Sequence, residues 1–147
     1  MDKVKVLVTG SNGLLGQKIV YQLVKRKDIE LIATAKGPNR LLKKLGYQYL
    51  ELDSTNKSEG YHIFNTLQPH AVINCAAMTN VDACEQNQED CWNINVKAVE
   101  YIATASESIK AHLVQLSTDF IFDGNSGPYS EEDSPNPLHF YAKSKLE

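Results

Sequence analysis

Tyr141-Ala142-Lys143-Ser144-Lys145 sets a phenol four residues before an ammonium. On a helix that spacing puts the two side chains on one face. A neighbouring ammonium favours phenolate and lowers a tyrosine pKa from its ordinary value of about 10. A phenol tuned in this way can pass a proton to or from a substrate oxygen near neutral pH. Tyr/Lys pairs also recur by chance on solvated helix faces, so the chemistry depends on what the upstream chain places beside them.

The second chemical stretch is Gly10-Ser11-Asn12-Gly13-Leu14-Leu15-Gly16. It follows the apolar, β-branched run Val4-Lys5-Val6-Leu7-Val8. It precedes Leu15, Ile19, Val20, Leu23 and Val24, whose spacing predicts an amphipathic helix to about Lys27. A strand, a glycine turn and a helix form the setting in which glycines cradle a dinucleotide. One glycine permits the tight turn, one lets backbone approach a pyrophosphate, and one lets the helix pack near the strand. The helix start then offers free N–H groups and its positive dipole end to phosphate. The spacing is G-x-x-G-x-x-G.

The elements that must position these groups follow in alternation. Ile29-Glu30-Leu31-Ile32-Ala33-Thr34-Ala35 reads as a second strand. Lys36 and Arg40 follow it with no carboxylate between them, which favours the 2′-phosphate of NADP over the free ribose hydroxyl of NAD. A short helix is expected over residues 38–45, ended by Gly46, and then a third strand over 47–52. Asp53-Ser54 stands just past that strand, where a carboxylate could accept from an adenine amino group or simply open a turn. A helix from about Ser58 to Leu67, closed by Pro69, leads to a fourth buried strand, Ala71-Val72-Ile73-Asn74-Cys75.

The small residues Ala76 and Ala77, with Thr79, would let a flat ligand lie against backbone. A helical region from about Ala83 to Ile109 follows, with a break expected near Asn87-Gln88. Trp92, Val96, Val99, Ile102 and Ala103 are expected to face the sheet. Asn95 on that stretch must either brace backbone or order water near a site. The fifth strand, His112-Leu113-Val114-Gln115-Leu116, ends in Ser117-Thr118-Asp119, whose hydroxyls would point into the crevice at the strand ends. A loop over residues 120–137 then leads to the helix of Tyr141 and Lys145.

Five strands alternating with helices predict an α/β doubly wound parallel sheet of the NAD(P)-binding Rossmann type, in one domain spanning residues 1–147. A chain of 147 residues with 42% hydrophobic and 22% charged residues can bury a core of this size. Its net charge of -3 gives no attraction to nucleic acid or membrane, and no apolar run approaches spanning length. Cys75, Cys84 and Cys91 have no metal-type spacing, and their odd number argues against a disulfide framework. His62, His70, His112 and His139 are scattered, so no metal site is expected. A cytoplasmic setting with reduced thiols is expected.

Beyond these readings the chain resembles the extended short-chain dehydrogenase/reductases, and within them the dTDP-4-dehydrorhamnose reductases. The resemblance rests on the glycine turn, Asn74-Cys75-Ala76-Ala77, Asn95-Val96, Ser117-Thr118-Asp119-Phe120-Ile121-Phe122-Asp123-Gly124, Pro128-Tyr129-Ser130-Glu131-Glu132-Asp133 and the tyrosine helix. Met78-Thr79-Asn80-Val81-Asp82-Ala83-Cys84-Glu85 carries the narrower match.

The resemblance implies that Thr118 bonds the substrate carbonyl, with Asp119 beside it. Tyr141 would donate the proton, Lys145 would tune Tyr141 and bind the nicotinamide ribose, and Asn95 would support an active-site water. It assigns Gly10, Asn12, Gly13, Leu14, Leu15 and Gly16 to the pyrophosphate, Asp53 and Ser54 to the adenine, and Ala76, Ala77 and Thr79 to the middle of the cofactor. It implies hydride transfer from NADPH, favoured over NADH, to C4 of a nucleotide-linked 4-keto-6-deoxyhexose, giving dTDP-L-rhamnose, and a homodimer.

Family members run to roughly twice this length. The chain is therefore expected to lack the C-terminal substrate lobe and to turn over poorly alone. Two other readings share the motifs. One is a regulatory subunit resembling the β subunit of methionine adenosyltransferase. The other is a sugar-nucleotide epimerase or dehydratase, although the Asp-Glu pair expected of a dehydratase is absent after Thr118.

Overall fold

The structure, a computed structural model, describes residues 3–147. Five parallel strands form one sheet: β1 (Val4–Thr9), β2 (Ile29–Ala35), β3 (Gln48–Glu51), β4 (Ala71–Asn74) and β5 (His112–Gln115), in the order β3-β2-β1-β4-β5. Leu7 pairs with Ile32 on one side and Val72 on the other, and Ile73 pairs with Val114. The order reverses between β1 and β4. Chain leaving these two neighbours goes in opposite directions and opens a crevice at their carboxyl ends.

Alternate residues of each strand serve opposite faces. Val6, Val8, Leu31 and Ala33 pack against Val20 of α1 (Leu14–Leu23) and against Leu41. Leu7, Ile32 and Val72 pack against Phe64 of α2 (Lys57–Leu67) and against Ile102 and Ala105 of α5 (Ala98–Ser108). With both faces covered, the strands need continuous apolar sequence, and Val6-Leu7-Val8 of β1, Leu31-Ile32-Ala33 of β2 and Ala71-Val72-Ile73 of β4 have it. Asn56 starts α2 by accepting the Glu59 amide through its side chain, and Gln68 ends it in the left-handed conformation.

The expected break near Asn87 is present. α3 (Val81–Gln86) and α4 (Gln88–Trp92) are separate helices, and α4 runs through a π-helical turn (Asn93–Lys97) into α5. The wider turn rotates the buried stripe of α5 onto Ala98, Ile102 and Ala105, so Ala103, expected against the sheet, is exposed. α6 (Phe140–Leu146) carries Tyr141 and Lys145, and Tyr141 packs with Cys84 and Cys91 of α3 and α4.

The helix expected over residues 38–45 does not form. Its backbone groups are taken by side chains from elsewhere. The Pro38 carbonyl accepts from Asn12, the Arg40 amide donates to Asn12, and the Leu42 amide donates to the Tyr21 hydroxyl. Asn39 accepts the Leu41 amide two residues on, a local turn that competes with helix. The segment crosses as an irregular link that drops Leu41 into the core.

Among the described residues no helix is long and apolar enough to cross a membrane, and no cluster of His, Cys, Asp and Glu could hold a metal ion.

Candidate functional site: the crevice at the strand ends

The crevice is fixed by a lateral chain of polar side chains. Thr9, ending β1, donates to Asn74, ending β4, and Asn74 donates to the Gln115 side chain of β5 at 2.7 Å. Three strand ends are thereby locked in register beneath the loops that follow them. Above β1, Gly10 has φ +62°, and a Cβ there would lie 2.5 Å from the Ala76 nitrogen. The turn after β1 and the loop after β4 therefore touch backbone to backbone, which only glycine permits. A Cβ on Gly16 would collide with the Gly10 carbonyl oxygen, so this glycine seats α1 on the turn. Gly13 precedes α1 with no side-chain cap, leaving the first amides of the helix without side-chain partners.

Two cavities meet over this turn and share Gly13, Cys75, Ala76 and Ala77. The larger, about 600 Å³, runs from Gly13, Leu14, Leu15 and Gly16 past Ala76, Ala77 and Thr79 to Ser117, Tyr141 and Lys145. The smaller, about 280 Å³, runs from Gly10 and Asn12 to Lys36, Asp53 and Ser54. Leu14 and Leu15 are 80% and 51% exposed at the mouth of the larger cavity, apolar surface that a bound ligand would cover.

Most of the residues singled out in the sequence thus line one continuous crevice. Tyr141 is 8% exposed and sits at its far end with Lys145. The Lys145 ammonium donates to the Leu116 carbonyl at 2.6 Å, which pins it to the end of β5. Burial holds the Lys145 pKa below its ordinary value. Burial also pushes the Cys75 thiol, between the two cavities, up to about 11, so it stays protonated and unreactive at neutral pH.

Other candidates stand apart. Arg40 is exposed and lines neither cavity; its amide is held by Asn12. Lys36 pairs with Asp53 at 2.6 Å. The hydrogen bond from Lys36 holds the Asp53 carboxyl below the usual carboxylate range, and the same bond raises Lys36. The cation read as a phosphate partner and the carboxylate read as an adenine partner therefore meet each other.

Asn95 is a brace. Its Oδ1 accepts the Met78 amide at 2.8 Å, and its Nδ2 donates to the Met78 carbonyl at 3.0 Å and to Ser144 Oγ at 2.9 Å. It ties the loop after β4 to the tyrosine helix, the first of the two roles open to it in the sequence. The Thr118 hydroxyl caps the short 3-10 turn Asp119–Ile121, accepting from Phe120 N at 3.2 Å and lying 3.3 Å from Asp119. Thr118 does not line the larger cavity; Ser117 does. Asp119 lines a separate depression of about 520 Å³ with Phe120, Phe122, Tyr129 and His139.

Ser117, whose hydroxyl was expected in the crevice, lines it, and Lys18 is a crevice residue not singled out in the sequence. Lys18 stands four residues after Leu14, so helical spacing from the glycine turn carried the signal.

The crevice fits a dinucleotide. It offers a glycine turn packed so closely on its neighbours that Gly10 and Gly16 leave no room for a Cβ, an uncapped ten-residue helix starting at that turn, and one chamber to each side.

Comparison with known proteins agrees. Over 143 residues the chain is 37% identical to methionine adenosyltransferase 2 subunit beta of Danio rerio, covering 97% of this chain and 42% of that protein. Over 144 residues it is 35% identical to dTDP-4-dehydrorhamnose reductase of Aggregatibacter actinomycetemcomitans, covering 97% and 45%. The chain thus spans about half the length of the curated relatives it matches.

Its structure superposes on a dTDP-4-dehydrorhamnose reductase of Clostridium acetobutylicum with a TM-score of 0.82 at 40% identity, covering 97% of this chain and 46% of that one. It superposes on the Bacillus anthracis reductase, solved in complex with NADP, with a TM-score of 0.77 at 30% identity, covering 98% and 47%. Residues 4–147 match the family model described as RmlD substrate binding domain, and with the switch-point crevice and the tyrosine helix in place the chain belongs to that family, within the extended short-chain dehydrogenase/reductases.

Proposed function

We propose that this chain is the cofactor-binding portion of an NADPH-dependent reductase that converts the C4 ketone of dTDP-4-dehydro-6-deoxy-L-mannose to the alcohol of dTDP-L-rhamnose. One observation carries the reading: Tyr141 and Lys145 line the same cavity as the glycine cradle and the uncapped start of α1. In this reading Gly10 to Gly16 and the first amides of α1 hold the pyrophosphate. The smaller chamber, with Asp53 and Ser54, takes the adenosine, and the larger takes the nicotinamide end between Ala76, Ala77, Thr79 and Lys145.

The cofactor supplies the hydride. The chain supplies the rest. Lys145 holds the ribose, and Tyr141 delivers its proton to the oxygen that becomes the hydroxyl. Thr118 and Asp119 lie beside the crevice as candidate substrate contacts, and Asn95 holds the loop and helix that frame it. The preference for NADP rests on Lys36 and on the NADP complex of the Bacillus anthracis relative.

NADPH oxidation, followed by absorbance in the natural protein that carries this sequence, tests the proposal. Tyr141→Phe is expected to lower turnover with the dTDP-4-keto sugar by about 10²-fold or more. Equal rates for the two proteins would refute Tyr141 as the proton donor.

A second reading is favoured by a specific observation. The Thr118 hydroxyl is engaged by its own turn outside the cavity, and the Danio rerio relative is named as a subunit of methionine adenosyltransferase. A nucleotide-binding regulatory subunit would bind NADPH with no turnover, and Tyr141→Phe would then leave binding unchanged.

A further inference from the structure

The helix that carries Tyr141 and Lys145 begins on an unusual cap. His139 occupies the N-cap in extended conformation, φ -121° and ψ 163°, and its Nδ1 accepts the Ala142 amide at 3.1 Å. Helices ordinarily begin on Ser, Thr, Asp or Asn, whose oxygens accept at any pH near neutrality. An imidazole accepts at Nδ1 only while that nitrogen carries a lone pair, so the capping ring is in its Nε2–H form. The next orphan amide, that of Phe140, donates to Glu85 Oε1 of α3 at 2.6 Å. The start of α6 is therefore held by one imidazole and one carboxylate. The His139 ring also lies nearly parallel to the Tyr141 ring, 14° apart with centroids at 6.0 Å, and meets Phe120 edge-on at 5.3 Å.

We propose that His139 is a positioning residue for Tyr141, and that gain of a proton by its imidazole releases the start of α6 and unseats the phenol. The proposal rests on the reading that Tyr141 works at the nicotinamide end of the crevice. A proton on Nδ1 would set donor against donor at the Ala142 amide and add positive charge at the positive end of the helix. The ring is half-buried, so protons reach it.

The charged and titratable groups around it come from several elements. Glu85 of α3 is on the adjoining amide, and Asp119, Asp123 and Tyr129 line the same depression. Tyr141 stacks on the ring, and Lys143 stands one turn along α6. The carboxylates attract an imidazolium and the cap opposes one. Protonation would therefore redirect the ring toward the depression lined by Asp119 and Asp123 and away from Ala142.

The test uses the 147-residue chain, isotopically labelled, with amide exchange at Ala142 and the Tyr141 ring resonances read at pH 8 and pH 5.5. Wild type is expected to lose roughly fivefold of its Ala142 protection on acidification, the worth of one cap, with the Tyr141 ring signals shifting together with it. His139→Asn, which keeps a cap that does not titrate, is expected to stay protected and unshifted at both values. His139→Leu, which has no cap, is expected to show the roughly fivefold lower protection at both. Wild-type protection and ring signals that are the same at both pH values would overturn the proposal, as would a pH response that survives in His139→Asn. Titration with NADP+ in the same samples judges the cofactor reading separately. Absence of binding at either pH would sink that reading and leave the exchange result to decide the cap.

Discussion

At the scale of single residues, the crevice depends on positions where a methyl group or a lost partner would be felt at once. Gly10→Ala is the sharpest case. It forces a left-handed φ on alanine and drives a Cβ into Ala76 backbone, so the turn and the loop after β4 must separate. Cofactor binding, measured by calorimetry, is expected to fall below detection in this variant. Gly13→Ala, whose nearest backbone contact would be 3.3 Å, is expected to weaken binding less.

Asp53 and Lys36 give a second prediction. Lys36 holds the folded-state pKa of Asp53 below its ordinary value near 3.8. The stabilisation it contributes is full above that value and disappears as pH falls through the lowered one. Urea unfolding between pH 5 and pH 3 is expected to show a shallower loss of stability in Asp53→Asn than in wild type. The pairing also shows why two side chains read as ligand groups were not separable in the sequence. Lys36 and Asp53 are seventeen positions apart, and only the β2–β3 register, Ala35 opposite Glu51, brings them together.

At the scale of elements, the buried parallel strands were legible because β1, β2 and β4 are apolar on both faces, and the glycine turn because it follows a strand and opens a helix. What stayed illegible was decided by distant partners. The segment over residues 38–45 looked helical, yet Asn12 and Tyr21 occupy its backbone groups from the glycine turn and from α1. The π-helical turn at Asn93–Lys97 leaves no mark in apolar spacing, so Ala103, expected against the sheet, is exposed while Ile102 packs against Leu7, Ile32 and Val72 as expected.

That same turn presents Asn95, and Asn95→Ala is expected to cost about 2–3 kcal/mol in urea unfolding, because both Met78 backbone groups lose their partner in a part-buried setting. A loss below about 0.5 kcal/mol would mean that the loop after β4 does not depend on this brace. In the α2 layer, Phe64→Ala is expected to cost about 3–5 kcal/mol by emptying a site that is 1% exposed.

At the scale of the whole molecule, the chain sets a dinucleotide-shaped crevice at the switch point of one parallel sheet and hangs a phenol and an ammonium at its far end. Its coverage of 42–45% of the curated relatives leaves the complete reaction as a proposal for the natural protein, whereas cofactor binding is asked of these residues alone. Binding should also appear as stability. Ligand at a hundred times its Kd is expected to add about 2.7 kcal/mol to unfolding.

The most direct measurement is calorimetric titration of NADP+ and NAD+ into the wild-type chain and into Gly10→Ala. Saturable one-to-one binding that is tighter for NADP+ and is lost in the glycine variant is the predicted result. No binding of either dinucleotide to the wild-type chain, or equal binding to Gly10→Ala, would contradict the central claim that the crevice between β1 and β4 is a cofactor site.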